Sequence, residues 1–343
     1  MDGKLYGTVK YGGRSCYAKR AECGAVFSIS TSGAENVIYA FKGPPDAANP
    51  QAALTNINGS WYGVTAWGGT HGRGAIFKIS SSGKEEVLYS FKGGRDGEGP
   101  LGQLTSLNGV LYGTTDTGGS HRNGTVYSCT LSGRHRVLHR FKYSDGSAPY
   151  AGLTVVGDML YGTTNVGGAE NAGTVFSITK AGEESVIHSF HGRTDGEGVQ
   201  TPLILVDGAL YGTTVGGGGP GREGHGTVFK MTLSGRLTVL HRFGKRGALD
   251  GNSPQSLVSV NGTLYGAAYK GGSDGFGVIF SLTQSKEFRI LYSFSRPPDG
   301  GYPTGGLKEI NGWLYGTTSE GGTGSCSYFG PAFGCGTVFA LKL

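Results

Sequence analysis

The chain has 343 residues and a formal net charge of +6. Its 67 glycines, about three times the usual share, come with 18 Tyr and 16 Phe, which excludes a disordered low-complexity chain, and with no G-X-Y period, which excludes collagen. No Lys/Arg run marks a nucleic-acid footprint, and no apolar run reaches the length of a membrane span.

The first element is LYGTV at 5–9. It returns as WYGVT at 61–65, LYGTT at 111–115, 160–164 and 210–214, LYGAA at 264–268 and LYGTT at 314–318. Seven copies about fifty residues apart make a structural repeat. Residues 102–150 display one unit in full. QLTSL (strand A) leads through Asn108-Gly109 to VLYGTT (strand B). The loop DTGGSHRN leads to GTVYSC (strand C), the turn LSG to RVLHRF (strand D), and KYSDGSAP to the next unit. Asn-Gly between two β-rich runs is a strong two-residue hairpin signal, and it recurs at 58–59, 261–262 and 311–312.

Four short antiparallel strands repeated at this period predict an all-β, seven-bladed β-propeller. The alternatives are six blades plus an extra hairpin, or a stacked solenoid. One domain over 1–343 is expected, with repeats at 1–50, 51–100, 101–149, 150–200, 201–253, 254–303 and 304–343. Strands B and C occur seven times but A and D only six, so N-terminal strands, and with them a signal peptide, are expected to precede Met1 in the native protein.

Two loops carry paired cysteines, Cys16/Cys23 in SCYAKRAEC and Cys326/Cys335 in CSYFGPAFGC. Two short loops each closed by its own pair point to local disulfides and an oxidising compartment. A four-cysteine metal site is the rival, but these are not the usual zinc spacings. Cys129 falls where Ile178 falls in the next repeat, so it reads as a small buried hydrophobe.

The pattern LYGTTxxGGxxxxGTVFSI, then VLYSF, then DGxxP, resembles the GloVer tandem repeat of Gloeobacter and Verrucomicrobia over essentially the whole chain. The resemblance implies a secreted or surface-exposed propeller-like protein. It implies no activity and no catalytic residues.

The A–B and C–D turns are tight, whereas the B–C and D–A loops are long and varied, which assigns function to the face carrying those loops. Asp46, Asp96, Asp145, Asp195, Asp250 and Asp299 recur at one D–A position and read as turn caps rather than ligands. His139, His188 and His241 stand where other repeats have Tyr39, Tyr89 and Tyr292, so they read as aromatic substitutes in the blade interface, not ligands. His71 and His121 instead follow the double glycine of two neighbouring B–C loops, WGGTHGRG and TGGSHRNG. The positions just after strand B vary most. They supply Lys10, Tyr11, Trp67, Asp116, Tyr269, Lys270 and Glu320, and with His71 and His121 these are the candidate ligand-binding residues. Aromatic faces and a few charges suit a sugar or small polar ligand.

The first functional expectation is therefore an extracellular binding propeller for a glycan or other polar ligand, with an anionic one permitted by the basic balance. It is expected to be a monomer, with no cofactor, metal, nucleic acid or membrane span. The alternative is a polysaccharide-degrading enzyme, foremost a lyase on an acidic polymer. His71, His121, Tyr11 and Tyr269 would move protons, and Arg73 or Arg122 would hold the carboxylate. A hydrolase would need two convergent carboxylates, with Glu320 and Asp116 among the candidates. A protein-interaction scaffold is the third reading.

Overall fold

The computed structural model describes residues 3–12, 23–219, 224–244, 247–295, 298–323 and 334–343. They form seven antiparallel sheets in chain order, with no α-helix among the described residues, and the fold is an all-β, seven-bladed propeller. No helix is long and apolar enough to cross a membrane.

The third blade shows the pattern. Strand A is Thr105–Leu107, B is Val110–Thr115, C is Thr125–Thr130 and D is His135–Arg140, hydrogen-bonded in that order. Asn108 and Gly109 make the A–B turn with φ of 53° and 74°. These left-handed values match a type I′ hairpin, whose twist agrees with that of the strands. The first sheet has strands B, C and D (Lys4–Val9, Ala25–Ser30, Glu35–Ala40), and the last runs from Gly300–Pro303 to Val338–Lys342. The chain divides into two compact units, residues 1–164 with 176–185 and residues 165–175 with 186–343.

The motif LYGTT is explained residue by residue in the first unit. Leu111 and Tyr112 are buried on opposite faces of strand B, as period-two alternation requires. Gly113 lies opposite Tyr127 of strand C. A Cβ on Gly113 would collide with the Tyr127 hydroxyl and approach Leu104 to 3.1 Å. Thr114 donates to the carbonyl of Ala151 at 3.0 Å, and Thr115 pairs with Thr125 at 2.8 Å, both buried. Each hydroxyl therefore satisfies its own burial. The strand-C aromatic is the hub between blades. Phe41 meets Phe77, Phe91 meets Tyr127 and Phe141 meets Phe176, edge to face at 5.0–5.1 Å. The second unit repeats the contact at 5.3 Å in Phe190–Phe229, Phe243–Phe280 and Phe294–Phe339. Edge-to-face rings at this spacing are electrostatically favoured.

Cys129 is fully buried in the core with Phe91 and Tyr127, and burial pushes its thiol up to about 11. It is an inert packing residue, as its place in the repeat predicted.

Candidate functional site

The carboxylates of the D–A loops are turn caps. Asp46 accepts from the backbone N–H of Lys42 at 2.8 Å, Asp96 from Lys92 at 2.9 Å and Asp145 from Lys142 at 2.8 Å. Asp195, Asp250 and Asp299 do the same for His191, Gly244 and Ser295 at 2.7–3.0 Å. Each Asp also faces the aromatic of strand D that precedes it. Tyr39, Tyr89 and Tyr292 donate their hydroxyls at 2.8–3.0 Å. His188 and His241 place Nε2 at 2.8 and 3.2 Å from their aspartates. The histidines do pack as aromatics, His139 edge-to-face on Phe141 at 4.9 Å and His241 stacked on Phe288 at 3.9 Å. They are also hydrogen-bonding or ion-pairing partners of the turn, which the sequence reading did not foresee.

The varied loop positions hold the other candidates. In the first unit Trp67 ends strand B of the second blade, Ser60–Gly68, whose inner residues are buried. Trp67 itself is 70% exposed, the highest value among the large hydrophobics of the described residues. Its cross-strand partner is Ala48, and the neighbouring Asn49 donates from Nδ2 to the carbonyl of Lys10 at 3.2 Å. The strand Ala47–Pro50 thus lies between Trp67 and the Lys10–Tyr11 end of the first blade. The Lys10 ammonium lies 5.2 Å from the Tyr11 ring centre, within cation–π range.

Asp116 follows strand B of the third blade, half-buried. Burial first, and Glu98 second, push its carboxyl up to about 6. Glu98 accepts from Arg73 at 2.7 Å and from the Thr117 hydroxyl at 3.4 Å. The guanidinium of Arg73 is thus already engaged. His71 is exposed, with Nδ1 3.0 Å from the Thr70 hydroxyl, and His121 is exposed on the next loop beside Arg122. Arg122 takes φ 63° where the second blade has Gly72 at 67°. No hydrogen bond among the described residues joins His71 to His121.

In the second unit Tyr269 packs against Tyr302 with ring centres 5.0 Å apart, and Tyr302 against Phe276 at 5.4 Å. The Lys270 ammonium lies 5.8 Å from the Tyr269 ring. Glu320 is paired in register with Gly301, next to Tyr302. Burial raises its carboxyl above the ordinary range, and burial with Glu320 raises the Tyr269 phenol. Tyr269, Lys270 and Glu320 therefore form one cluster.

Glu98, Tyr302 and Phe276 are site residues that the sequence did not single out. The signal for Glu98 was DGEG, present only at 96–99 and 195–198. Tyr302 and Phe276 lie in loops of ordinary composition and become neighbours only across strands. Cys129 is the free cysteine among the described residues. Cys23 and Cys335 each have a partner, and their expected partners Cys16 and Cys326 lie outside the described residues.

Comparison with known proteins bears on the fold. The Gloeobacter/Verrucomicrobia repeat matches residues 1–222 and 193–343. Among curated proteins none matches this chain. The fold is similar to a candidate 6-phosphogluconolactonase of Bacteroides uniformis, at TM-score 0.57 and 12% identity, covering 98% of this chain and 100% of that one. It is similar to the periplasmic gluconolactonase of Pseudomonas aeruginosa, at TM-score 0.56 and 14% identity, covering 99% and 96%. It is also similar to a puromycin hydrolase, at TM-score 0.58 and 13% identity, covering 99% of this chain and 50% of that one. At these identities the likeness shows the fold alone.

Proposed function

The chain belongs to the Gloeobacter/Verrucomicrobia repeat family, and on that premise we propose that it is an extracellular propeller that binds a glycan or small polar ligand on its B–C and D–A loops. The observation that carries this reading is Trp67. A tryptophan 70% exposed near the end of an otherwise mostly buried strand presents a large apolar ring to water. Lys10 and Tyr11 lie across the strand Ala47–Pro50 from it. A sugar presents C–H faces to such rings and hydroxyls to such charges, each stacked ring contributing on the order of 1 kcal/mol. Tyr269, Lys270 and Glu320 offer the same chemistry in the second unit. The Cys16–Cys23 and Cys326–Cys335 loops read as local disulfides, which supports the extracellular setting.

One observation favours the second reading, an enzyme acting on polysaccharide. The Asp116 carboxyl, pushed up to about 6 beside Glu98, is suited to exchange a proton near neutral pH. It points to hydrolysis; for the lyase reaction Arg73 is taken by Glu98, which leaves Arg122 and Lys10 to hold a carboxylate.

The test is a panel of neutral and acidic polysaccharides incubated with the folded chain, read by affinity electrophoresis and by mass spectrometry of the products. Retardation without new products, lost in Trp67→Ala, is the expected result. Saturated fragments that vanish in Asp116→Asn would replace binding by hydrolysis. Unsaturated uronate products would make the chain a lyase. Neither retardation nor products would sink both readings.

A further inference from the structure

Away from the varied loop positions, one side-chain cluster is unusual. In the first three blades strand D places its aromatic against the first residue of the next strand D, with the loop aspartate alongside. Between blades one and two the trio is Tyr39, Asp46 and Glu85. There the Tyr39 hydroxyl donates to Asp46 at 3.0 Å. Between blades two and three it is Tyr89, Asp96 and His135, with the two rings stacked at 4.1 Å. Between blades three and four it is His139, Asp145 and Glu184.

The third trio differs from the first by one substitution, Tyr to His, and that changes its chemistry. A phenol gives its proton to the carboxylate. An imidazole has a ring nitrogen that serves equally as a lone-pair donor. His139 Nε2 lies 3.3 Å from Asp145 Oδ2 and 4.0 Å from Glu184 Oε2, and the three donor atoms all lie within 4.8 Å of one another. Nε2 of His139 and Oε1 of Glu184 are both buried with no hydrogen bond. The Glu184 side chain is only 9% exposed. Buried polar atoms without a hydrogen bond are costly; Oε1 of Glu85 shares that state in the first trio, so what sets the third trio apart is the imidazole nitrogen facing both carboxylates.

We propose that His139, Asp145 and Glu184 form a site for one divalent transition cation of the zinc class. The donor set is one imidazole nitrogen and two carboxylate oxygens, leaving one position of a tetrahedron for water. Tetrahedral ligands about 2.0 Å from zinc are about 3.3 Å apart, which is the His139–Asp145 separation. The Glu184 oxygen, 4.0 Å from His139 Nε2, would have to move closer to complete the set. Imidazole selects zinc-class ions over calcium or magnesium, which prefer all-oxygen shells. His139 and Asp145 are each 18% exposed on their side chains, which places the site near the surface. Such an ion would tie the third blade to the fourth, and its binding energy would add to the stability of the first unit.

The experiment uses the full chain without an affinity tag, stripped with chelator and titrated with Zn²⁺ by equilibrium dialysis and metal analysis. His139→Tyr is the main variant, because Tyr39, Tyr89 and Tyr292 already occupy that position. Glu184→Gln is the second, removing charge without changing shape. The wild type is expected to bind Zn²⁺, and each variant to lose one equivalent or at least tenfold in affinity. His191→Ala serves as control, since His188, His191 and Asp195 make a second cluster of metal-ligand type. It is expected to leave the His139 equivalent in place. Absence of Zn²⁺ binding by the wild type overturns the proposal. So does unchanged binding in both variants, or loss in His191→Ala alone. If the variants fail to fold, Co²⁺ added to His191→Ala, which lacks the second cluster, decides. Intense visible bands of a four-coordinate nitrogen–oxygen site support it, and their absence overturns it.

Discussion

Two regions of the first unit are built on opposite rules. Between blades, the same contact recurs almost without change. Phe41–Phe77, Phe91–Tyr127 and Phe141–Phe176 all meet at 5.0–5.1 Å. At the end of strand B and just past it, no two blades agree. The positions read Lys10-Tyr11, Ala66-Trp67 and Asp116-Thr117. The interior is repeated because each blade must fit the next, and a close-packed interface tolerates little variation. The loop positions are released from that constraint because their backbones are already tied by the strands and turns. Recognition can therefore vary there at little cost to folding.

The largest test of this contrast is Gly113→Ala. The added methyl has no room against Tyr127 and Leu104, and strand C would have to shift. A loss of about 3 kcal/mol is expected in urea unfolding. A loss below about 1 kcal/mol would mean that the interior is not the rigid half of the comparison.

Next comes Glu85→Gln. Burial first, and Asp46 second, push the Glu85 carboxyl up to about 7 from an ordinary 4.5. Below pH 4.5 it is protonated whether the chain is folded or not. Between pH 4.5 and 7 the unfolded chain releases the proton while the folded chain keeps it, so this group makes stability fall as pH rises. Discounted for partial exposure, Glu85→Gln is expected to stabilise the protein by about 1–2 kcal/mol at pH 8 and by nothing near pH 4. Parallel stability–pH curves for the two proteins would refute the assignment.

Arg73→Ala breaks a pair whose arginine is mostly exposed. A loss of at most about 1 kcal/mol, shrinking in high salt, is expected in thermal melts. A larger loss would move this loop contact to the structural side. Smallest in stability is Trp67→Ala, expected within about 0.5 kcal/mol of wild type. The same change is expected to weaken glycan binding about tenfold, equivalent to about 1.4 kcal/mol. Unchanged binding alongside unchanged stability would remove Trp67 from the proposed site.

Much of the architecture was legible in the sequence because its signals are local. Asn-Gly demands a tight hairpin, and the period of LYGTT demands equivalent blades. The repeated aspartate could be read as a turn cap for the same reason, since its main partner lies three to six residues away. Cys129 was readable by its register with Ile178. The candidate site was legible only as a set of positions. Nothing local told that Trp67 would stand out in water while Tyr112 is buried, since both are aromatics on strand B. That Arg73 would be spent on Glu98, 25 residues later, was equally hidden.

Sequence by itself determined the strands, their turns, the seven-fold repeat and the face on which variation collects, because each follows from bonding between near neighbours or from periodicity. Only the tertiary structure decided which variable side chains meet. It set Asn49 against Lys10, Tyr302 against Tyr269 and Glu184 against His139, partners 33 to 45 residues apart. It also explained the glycine of LYGTT, whose missing side chain is the space that the strand-C aromatic fills.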